Sequence, residues 1–332
     1  MQEGAKVLVI RFSSIGDIVL TTPVVRALKE QLYGETTVHY LTKKDFVPIL
    51  ENNPYIDKVY SIEKDISEIE EDLTYEMYTN VIDLHFNLRS SQIKRLLRVT
   101  HFSVKKLNFK KMLLVVFGIN KMPKKHIVDR YMDTLKAFGV KEDCRGLDYF
   151  IPEKDVVDIQ RFNSSLSVNN YLCFVIGGAH LGKKMSADKI ASICMEIDFP
   201  IVLLGGKGDV SEAEAIIQKT QGKVFSAVGQ FNINQSASII NQAKLIISGD
   251  TGLMHVASAL KKIIISLWGC TTPDFGMSPY MPVEGSVIIQ PHDRDKRPCS
   301  KLGNHCKYGM DNRCIDQVDV SEIIAEVKSL VF

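Results

Sequence analysis

The sequence predicts an α/β protein with two doubly wound domains, each built on a parallel sheet that helices cover. Short β-branched runs alternate with amphipathic stretches of helical length, a pattern typical of parallel sheets. The 332 residues exceed one ordinary core. The alternation also stops at the segment CRGLDYFIPEKD (144–155) and then restarts. We therefore predict one domain over residues 1–155 and a second over 156–332.

The first domain contains four runs with the composition of buried strands. They are KVLVIRF (6–12), TTVHYLT (36–42), DKVYSI (57–62) and NVIDLHF (80–86). The later segment HIVDRYMDTLKAFG (126–139) has a helical pattern, and we expect Gly139 to end that helix.

The second domain contains six such runs, and several of them end in glycine. They are YLCFVIGG (171–178), PIVLLGG (200–206), KVFSAVG (223–229), KLIISGD (244–250), KIIISLWG (262–269) and SVIIQP (286–291). Helical segments such as SADKIASICMEI (186–197) and NINQSASIINQA (232–243) lie between them. Ligands of open α/β sheets bind at the carboxyl ends of the strands, so we expect the glycine loops to border a cleft between the two domains.

The charges are nearly balanced overall, with 41 Lys and Arg residues against 39 Asp and Glu residues, and we predict no nucleic-acid partner. The stretch from Lys94 to Lys125 nevertheless has ten Lys or Arg residues and no Asp or Glu. The longest apolar run, MLLVVFGI (112–119), falls well short of the roughly 20 residues that span a bilayer. These features indicate a cytoplasmic protein with a basic face that either meets a membrane surface or is merely solvated.

Seven cysteines without a secretion signal argue against a disulfide framework. Cys173 and Cys194 lie in apolar patterns and are predicted core residues. The late group Cys299, Cys306 and Cys314 could bind zinc with His305 as a fourth ligand, but its spacings of seven and eight are unlike those of a zinc knuckle. We favour a reduced cysteine-bearing loop and expect no metal.

The stretch SGDTGLMHVASAL (248–260) joins a strand end to a helix start. The first helical amides after Thr251 and Gly252 would suit a phosphate. A carboxylate beside a phosphate is repelled, so Asp250 either accepts hydrogen bonds from sugar hydroxyls or only caps the helix. His255 falls on the same helix face as Thr251, where a packing role is more common than a catalytic one.

Two further glycine loops carry charged residues. In GGAHLGKKMSADKI (177–190), Lys183 and Lys184 could neutralise a diphosphate leaving group or be ordinary solvated lysines. In LLGGKGDVSEAEAI (203–216), Asp209 or Glu212 could bind ribose hydroxyls or complement the helix N-terminus.

The opening motif RFSSIGDIVLTTP (11–23) places a Gly-Asp pair where the first strand meets its helix. We expect Gly16 to allow a tight turn there, so that Asp17 projects from the strand end. The carboxylate of Asp17 could act as a general base toward an attacking hydroxyl, or could be one more helix cap.

Taken together, these motifs resemble the heptosyltransferases of glycosyltransferase family 9, enzymes of lipopolysaccharide core synthesis. The resemblance rests on HIVDRYMDTL, on the G-A…K loop, on D-T-G-x-x-H-x-A-x-A at 250–259, and on S-x-G-D with T-x-P (Ser14, Gly16, Asp17, Thr21 and Pro23). These motifs span almost the whole chain. One departure is Met185, where many members have Trp, and it leaves the choice between Lys183 and Lys184 open.

The resemblance implies a GT-B fold, with an N-terminal acceptor domain facing a C-terminal donor domain across a cleft. It implies inverting transfer of a heptose from ADP-heptose to Kdo-lipid A or a core heptose at the inner membrane surface, without a catalytic metal or a cofactor. By position, Asp17 would be the general base and Lys183 the diphosphate contact, with Lys184 the neighbouring donor-side lysine. The other implied donor residues are Asp209, Glu212, Asp250, Thr251, Gly252 and His255. Those on the acceptor side are Ser14, Gly16, Lys105, Lys106, Lys110 and Lys111.

Two alternatives remain at this stage. Another GT-B enzyme, with a different donor sugar or an epimerase activity, would keep the nucleotide site and change the sugar contacts. A non-catalytic nucleotide-sugar sensor would bind the donor and tolerate the loss of Asp17.

Overall fold

Two parallel sheets with separate cores make up the computed structural model, which describes residues 4–220 and 222–331. The first unit comprises the described residues up to Lys106 together with Lys125–Phe150. The second comprises Leu107–Lys124 and the described residues from Ile151 onward. Two doubly wound α/β units are thus confirmed, although a short segment from the first half of the chain belongs to the second unit.

All four predicted strands of the first unit are present, together with a fifth that the sequence did not reveal. The strands are β1 (Lys6–Ile10), β2 (Thr37–Lys43), β3 (Lys58–Ile62), β4 (Asn80–Asp83) and β5 (Thr100–Ser103). They pair in parallel in the order β3–β2–β1–β4–β5. The fifth strand is short, polar and at the sheet edge, so it lacks the apolar signal of a buried strand.

The first 139 residues also contain the helices that follow these strands, of which α5 belongs to the second unit. They are α1 (Ile15–Val19), α2 (Thr22–Gln31), α3 (Glu70–Tyr75), α4 (Leu88–Leu97), α5 (Asn108–Phe117) and α6 (Ile127–Met132). After α6 the chain tightens into a 3₁₀ helix over Asp133–Phe138 and stops at Gly139, whose φ is 72°. The predicted helix end is therefore confirmed.

The second unit contains all six predicted strands. They are β6 (Leu172–Val175), β7 (Ile201–Leu204), β8 (Val224–Ser226), β9 (Leu245–Gly249), β10 (Ile263–Leu267) and β11 (Val287–Ile289). They pair in parallel in the order β11–β10–β9–β6–β7–β8. The remaining helices are α7 (Ile159–Phe162), α8 (Ala187–Glu196), α9 (Val210–Thr220), α10 (Ile233–Gln242), α11 (Gly252–Ala259) and α12 (Val320–Val331).

Alternate residues of β6 show that this sheet is covered on both faces. Leu172 and Phe174 belong to a buried cluster with residues of α8, α9 and α12. Cys173 and Val175 belong to another cluster with residues of α10 and α11. Side chains of successive strand residues point to opposite faces, so the continuous apolar run LCFV is what a doubly covered strand requires. The predicted core positions of Cys173 and Cys194 are confirmed, because both are at most 1% exposed.

Strand order gives each sheet one topological switch point. In the first unit the order reverses beside β1 and β4, and in the second beside β6 and β9. Loops leaving neighbouring parallel strands in opposite directions open a crevice at the carboxyl ends of those strands. The motifs with Asp17, Lys183 and Asp250 all follow one of these four strands. Among the described residues, no helix combines the length and apolarity that spanning a bilayer requires.

Candidate functional site

The loop after β1 fixes Asp17 from two sides. Ser14 is the N-cap of α1, and its backbone N–H and hydroxyl donate to Asp17 Oδ2 at 3.2 and 2.8 Å. The guanidinium of Arg11 binds Asp17 Oδ1 at 2.7 Å. Asp17 thus does take part in helix capping, but its second oxygen holds a mostly buried cation. The carboxylate keeps a defined orientation and remains 22% exposed.

The prediction of a tight turn at Gly16 is wrong. Gly16 lies inside α1, and its carbonyl accepts the N–H of Leu20 at 2.9 Å. It is not among the described glycines with positive φ. The strand passes into the helix through residues 11–14, and Ser14 starts the helix by capping it, so no left-handed glycine is needed.

The end of β4 adds charged and titratable groups beside β1. The carboxylate of Asp83 is fully buried and forms an ion pair with Lys94 at 2.7 Å. Burial lowers the pKa of His85 to about 4, and the positive charges of Arg11 and Lys106 contribute in the same direction. His85 is therefore a neutral imidazole near neutral pH.

Helix α6 contributes two buried residues to the same end of the sheet. Arg130 is 7% exposed and Tyr131 is 1% exposed. Burial raises the pKa of Tyr131 to about 12; the charge of Arg11 opposes this rise and that of Asp17 adds to it. Tyr131 therefore keeps its proton and lies within electrostatic reach of the Arg11–Asp17 pair. Both residues belong to the motif HIVDRYMDTL, for which the sequence indicated no specific role.

In the second unit, Lys183 and Asp250 pair across the switch point. Lys183 Nζ lies 2.7 Å from Asp250 Oδ2, and the side chains are 19% and 10% exposed. The hydroxyl of Thr271 donates to the same Asp250 oxygen at 3.0 Å. A Cβ at Gly249 would lie 2.8 Å from the backbone oxygen of Lys183, so glycine is required for this close approach.

Lys184 has different partners. Its ammonium lies 2.6 Å from Asp209 Oδ1 and 3.3 Å from Glu212 Oε1. Burial alone would lower the pKa of Lys184, but the two carboxylates outweigh that effect and raise it. A Cβ at Gly177 would lie 2.5 Å from Asp209 Oδ2, so this strand-end glycine makes room for the carboxylate. The two neighbouring lysines therefore have different partners: Lys183 pairs with Asp250, and Lys184 pairs with Asp209 and Glu212.

The helix after β9 begins one residue later than a capping Asp250 would require. Thr251 is the N-cap of α11, and its hydroxyl accepts the N–H of Met254 at 3.4 Å. The interpretation of Asp250 as the cap is therefore wrong. Gly252 is the first helical residue, so the amides of the first turn begin directly after the Lys183–Asp250 pair. His255 lies inside this helix and is 2% exposed.

The predicted acceptor lysines fall into different units. Lys105 and Lys106 close the first segment of the first unit, whereas Lys110 and Lys111 lie on α5 in the second unit. Partial desolvation and the charge of Arg11 lower the pKa of Lys106, which indicates that this lysine shares the electrostatic environment of Arg11 and Asp17.

Residues 66–307 match the family described as glycosyltransferase family 9 (heptosyltransferase). The chain belongs to this glycosyltransferase family. It is 24% identical to lipopolysaccharide heptosyltransferase 1 of Campylobacter coli, over 98% of both chains. Its fold is similar to that of a family 9 glycosyl transferase from Veillonella parvula, with a TM-score of 0.79, 22% identity, and coverage of 98% of this chain and 97% of the other. It is also similar to ADP-heptose lps heptosyltransferase II of Escherichia coli, with a TM-score of 0.72, 18% identity and 98% coverage of both chains.

These findings confirm two predictions from the sequence. The chain has the GT-B fold, and it is an enzyme of the heptosyltransferase family. The residue roles inferred from the motifs remain predictions.

The glycosyltransferase also contains a cysteine cluster in its second unit. The Sγ atoms of Cys270, Cys299, Cys306 and Cys314 all lie within 4.8 Å of one another, and all four side chains are buried. His305 is exposed and is not part of the group, so the alternative that made it the fourth zinc ligand is wrong. The fourth member is Cys270, which follows β10 and lies 29 positions before Cys299.

Sequence reasoning missed Arg11, Thr271 and Cys270 in this glycosyltransferase. In the structure each of them follows β1 or β10 by at most four residues, at the sheet edge where ligands of such folds bind. That position was the available signal. The partners of Thr271 and Cys270 lie 21 and at least 29 positions away in the sequence, so the residues nearby do not indicate them.

Proposed function

We propose that this glycosyltransferase transfers a heptose from ADP-heptose to the lipopolysaccharide inner core, with inversion at the anomeric carbon. The observation that carries the proposal is the opposite chemistry of the two switch points. One fixes an oriented carboxylate, Asp17, and the other places Lys183 beside the start of α11. A single displacement needs a base for the attacking hydroxyl and positive charge for the departing diphosphate.

In this reaction an acceptor hydroxyl oxygen attacks the anomeric carbon of the donor. The bond from that carbon to the diphosphate oxygen breaks, and its electron pair leaves with ADP. Asp17 accepts the proton of the attacking hydroxyl. Ser14 and Arg11 keep the carboxylate in one orientation, so little reorganisation is needed when the proton moves.

On the donor side, Lys183 is the diphosphate contact, and Thr251 and Gly252 place helix amides beside the phosphates. The incoming diphosphate then replaces Asp250 as the partner of Lys183. The released Asp250 oxygen accepts heptose hydroxyls. Lys184 stays with Asp209 and Glu212, and these two carboxylates face the nucleoside.

We further propose that the acceptor is met at the cytoplasmic surface of the inner membrane, where α5 supports contact with lipid. Phe109, Met112, Val116 and Phe117 on this helix are 37–67% exposed, while Leu114 is buried. Lys110 and Lys111 interrupt the apolar residues, and no acidic residue lies between Lys94 and Lys125. Exposed apolar side chains with flanking lysines are typical of helices that bind anionic lipid surfaces.

The first experiment is calorimetric binding of ADP, UDP, GDP and CMP, with and without EDTA. We expect selective binding of ADP in both conditions. Preference for another nucleotide would overturn the donor assignment.

A second experiment tests catalysis with Asp17→Asn. Because general bases contribute about 10²- to 10⁴-fold to rate, we expect a transfer loss of that size at unchanged ADP affinity. Asp45→Asn is the matched control, because Asp45 also lies in the first turn of a short helix of the first unit. Near-normal transfer by Asp17→Asn would refute the role of Asp17. If the wild type and the variant both transferred heptose equally slowly, the result would favour the sensor alternative.

A further inference from the structure

The spacing of the four buried cysteines fits a metal ion and does not fit disulfides. Cys299 Sγ lies 3.9 Å from Cys306 Sγ and 3.5 Å from Cys314 Sγ, and the last two are 3.6 Å apart. A disulfide would require about 2.05 Å. Four sulfurs at about 2.3 Å from one zinc ion form a tetrahedron with edges of about 3.8 Å. The measured separations lie close to that edge length.

We propose that Cys270, Cys299, Cys306 and Cys314 bind one zinc ion as a closed tetrahedral tetrathiolate site. Four sulfur ligands in this geometry select zinc or a single iron, and they leave no open position for a substrate. An iron–sulfur cluster would distribute its thiolates over two or more iron atoms, and the four sulfurs are too close together for that arrangement. Binding releases the thiol protons to solvent.

The loop around the cysteines contains little regular secondary structure. Within the described residues from 290 to 318, regular structure is limited to two short 3₁₀ turns, Met310–Asn312 and Cys314–Gln317. The four cysteines form their own cluster, with only Tyr308 and Met310 packed against it among partly buried apolar residues. A metal ion bound by the three cysteines of this loop and by Cys270 would cross-link the loop to the end of β10.

One cationic side chain, Arg297, lies beside the cysteine cluster and suits a dianionic zinc tetrathiolate. The Arg297 side chain donates to the backbone oxygens of Trp268, Gly269 and Thr271, which flank Cys270. Arg297 therefore supplies a fixed cation beside the cluster.

The cysteine loop also holds the loop that carries Lys183. Gly182 donates its N–H to Gly303 at 2.9 Å, and its carbonyl accepts the N–H of Cys270 at 3.4 Å. A Cβ at Gly182 would lie 2.5 Å from Gly303 O and 2.9 Å from Cys270 Sγ. The residue after Cys270 is Thr271, which binds Asp250. The zinc site therefore fixes the position of Lys183. Its effect on ADP binding rests on the donor role proposed for Lys183 above.

The test measures the metal content of the full-length protein, purified without chelator, by inductively coupled plasma mass spectrometry. We expect one zinc per chain, with single Cys→Ala changes at each of the four positions abolishing it. Cys194→Ala is the matched control, because it removes the same buried volume from the same unit and should keep the zinc. Cobalt substitution of the wild type should give the thiolate charge-transfer bands of a tetrahedral site, a readout that does not depend on the variants folding.

The outcomes separate the two proposals. Wild-type protein without stoichiometric metal, with all four thiols reactive toward a thiol reagent, would overturn the site, and one iron per chain would overturn zinc. If zinc is present, we expect its loss in Cys306→Ala to weaken ADP binding about tenfold or more. Unchanged ADP affinity would overturn the positioning role. Zinc with no nucleotide binding even in the wild type would leave the metal site established and refute the donor site.

Discussion

Breaking the ion pair between Lys183 and Asp250 should lower the stability of the protein and strengthen its binding of ADP. Asp250→Asn keeps the shape and hydrogen-bonding capacity of the side chain but removes its charge. Lys183 then has no counter-charge at 2.7 Å in the unliganded protein. We expect the free energy of unfolding to fall, and ADP binding to tighten, because the diphosphate no longer competes with a carboxylate for Lys183.

The size of both effects follows from the exposure of the pair. Fully exposed pairs contribute about 0.2–1 kcal/mol, and breaking a buried pair costs about 3–5 kcal/mol. The side chains of Lys183 and Asp250 are 19% and 10% exposed, so this pair lies between those limits. We expect the loss of its charge pairing to lower the free energy of unfolding by about 1–2 kcal/mol. The corresponding decrease in the ADP Kd is about 5- to 30-fold.

Calorimetry with ADP and ADP-heptose, together with thermal unfolding, measures these quantities. The preference for ADP-heptose over ADP should disappear in Asp250→Asn, because the proposed heptose contact is lost. Asp198→Asn is the control, since Lys223 and Asp198 are also 2.7 Å apart but are 49% and 88% exposed. It should change neither affinity nor melting temperature. Weaker ADP binding in Asp250→Asn would refute the exchange and assign Asp250 to positioning Lys183.

Three further predictions follow from other parts of the chain. Replacing the four acceptor lysines by Glu should reduce transfer to a vesicle-bound acceptor far more than ADP affinity, and equal losses in both would contradict an acceptor role. In Gly182→Ala, overpacking against Gly303 and Cys270 should lower stability by about 1–3 kcal/mol and release zinc, whereas Gly208→Ala, where a Cβ meets nothing within 4 Å, should do neither. The His85 pKa of about 4 lies below the unfolded value near 6.5, so the unfolded chain binds more protons between these values. Stability should therefore fall as the pH drops from about 6.5 toward 4, and His85→Gln should remove up to about 2 kcal/mol of the loss between pH 7 and 5, measured by denaturant unfolding at each pH. Identical pH profiles for wild type and variant would contradict the burial of a neutral imidazole.

The sequence by itself determined the two sheets and the positions of the glycine and charged motifs. Ten predicted strands are present because β-branched apolar runs mark them within four or five consecutive residues. These runs are buried on both faces except in β3, β8 and β11, which lie at sheet edges. The motifs with Asp17, Lys183 and Asp250 could be placed at strand ends for the same reason. Gly16 shows the limit of this local reasoning, because a glycine after a strand suggests a turn, while the capping of α1 by Ser14 puts it inside a helix.

Only the tertiary structure decided which groups meet. Lys183 and Lys184 are adjacent in sequence, yet one pairs with Asp250 and the other with Asp209 and Glu212, because neighbouring residues of a loop point to different strand ends. Cys270 joins cysteines at least 29 positions away, and α5 belongs to the second unit although it lies within the first half of the chain. Such partners depend on chain crossings between distant segments, and hydrophobic periodicity, which repeats within a few residues, carries no information about them.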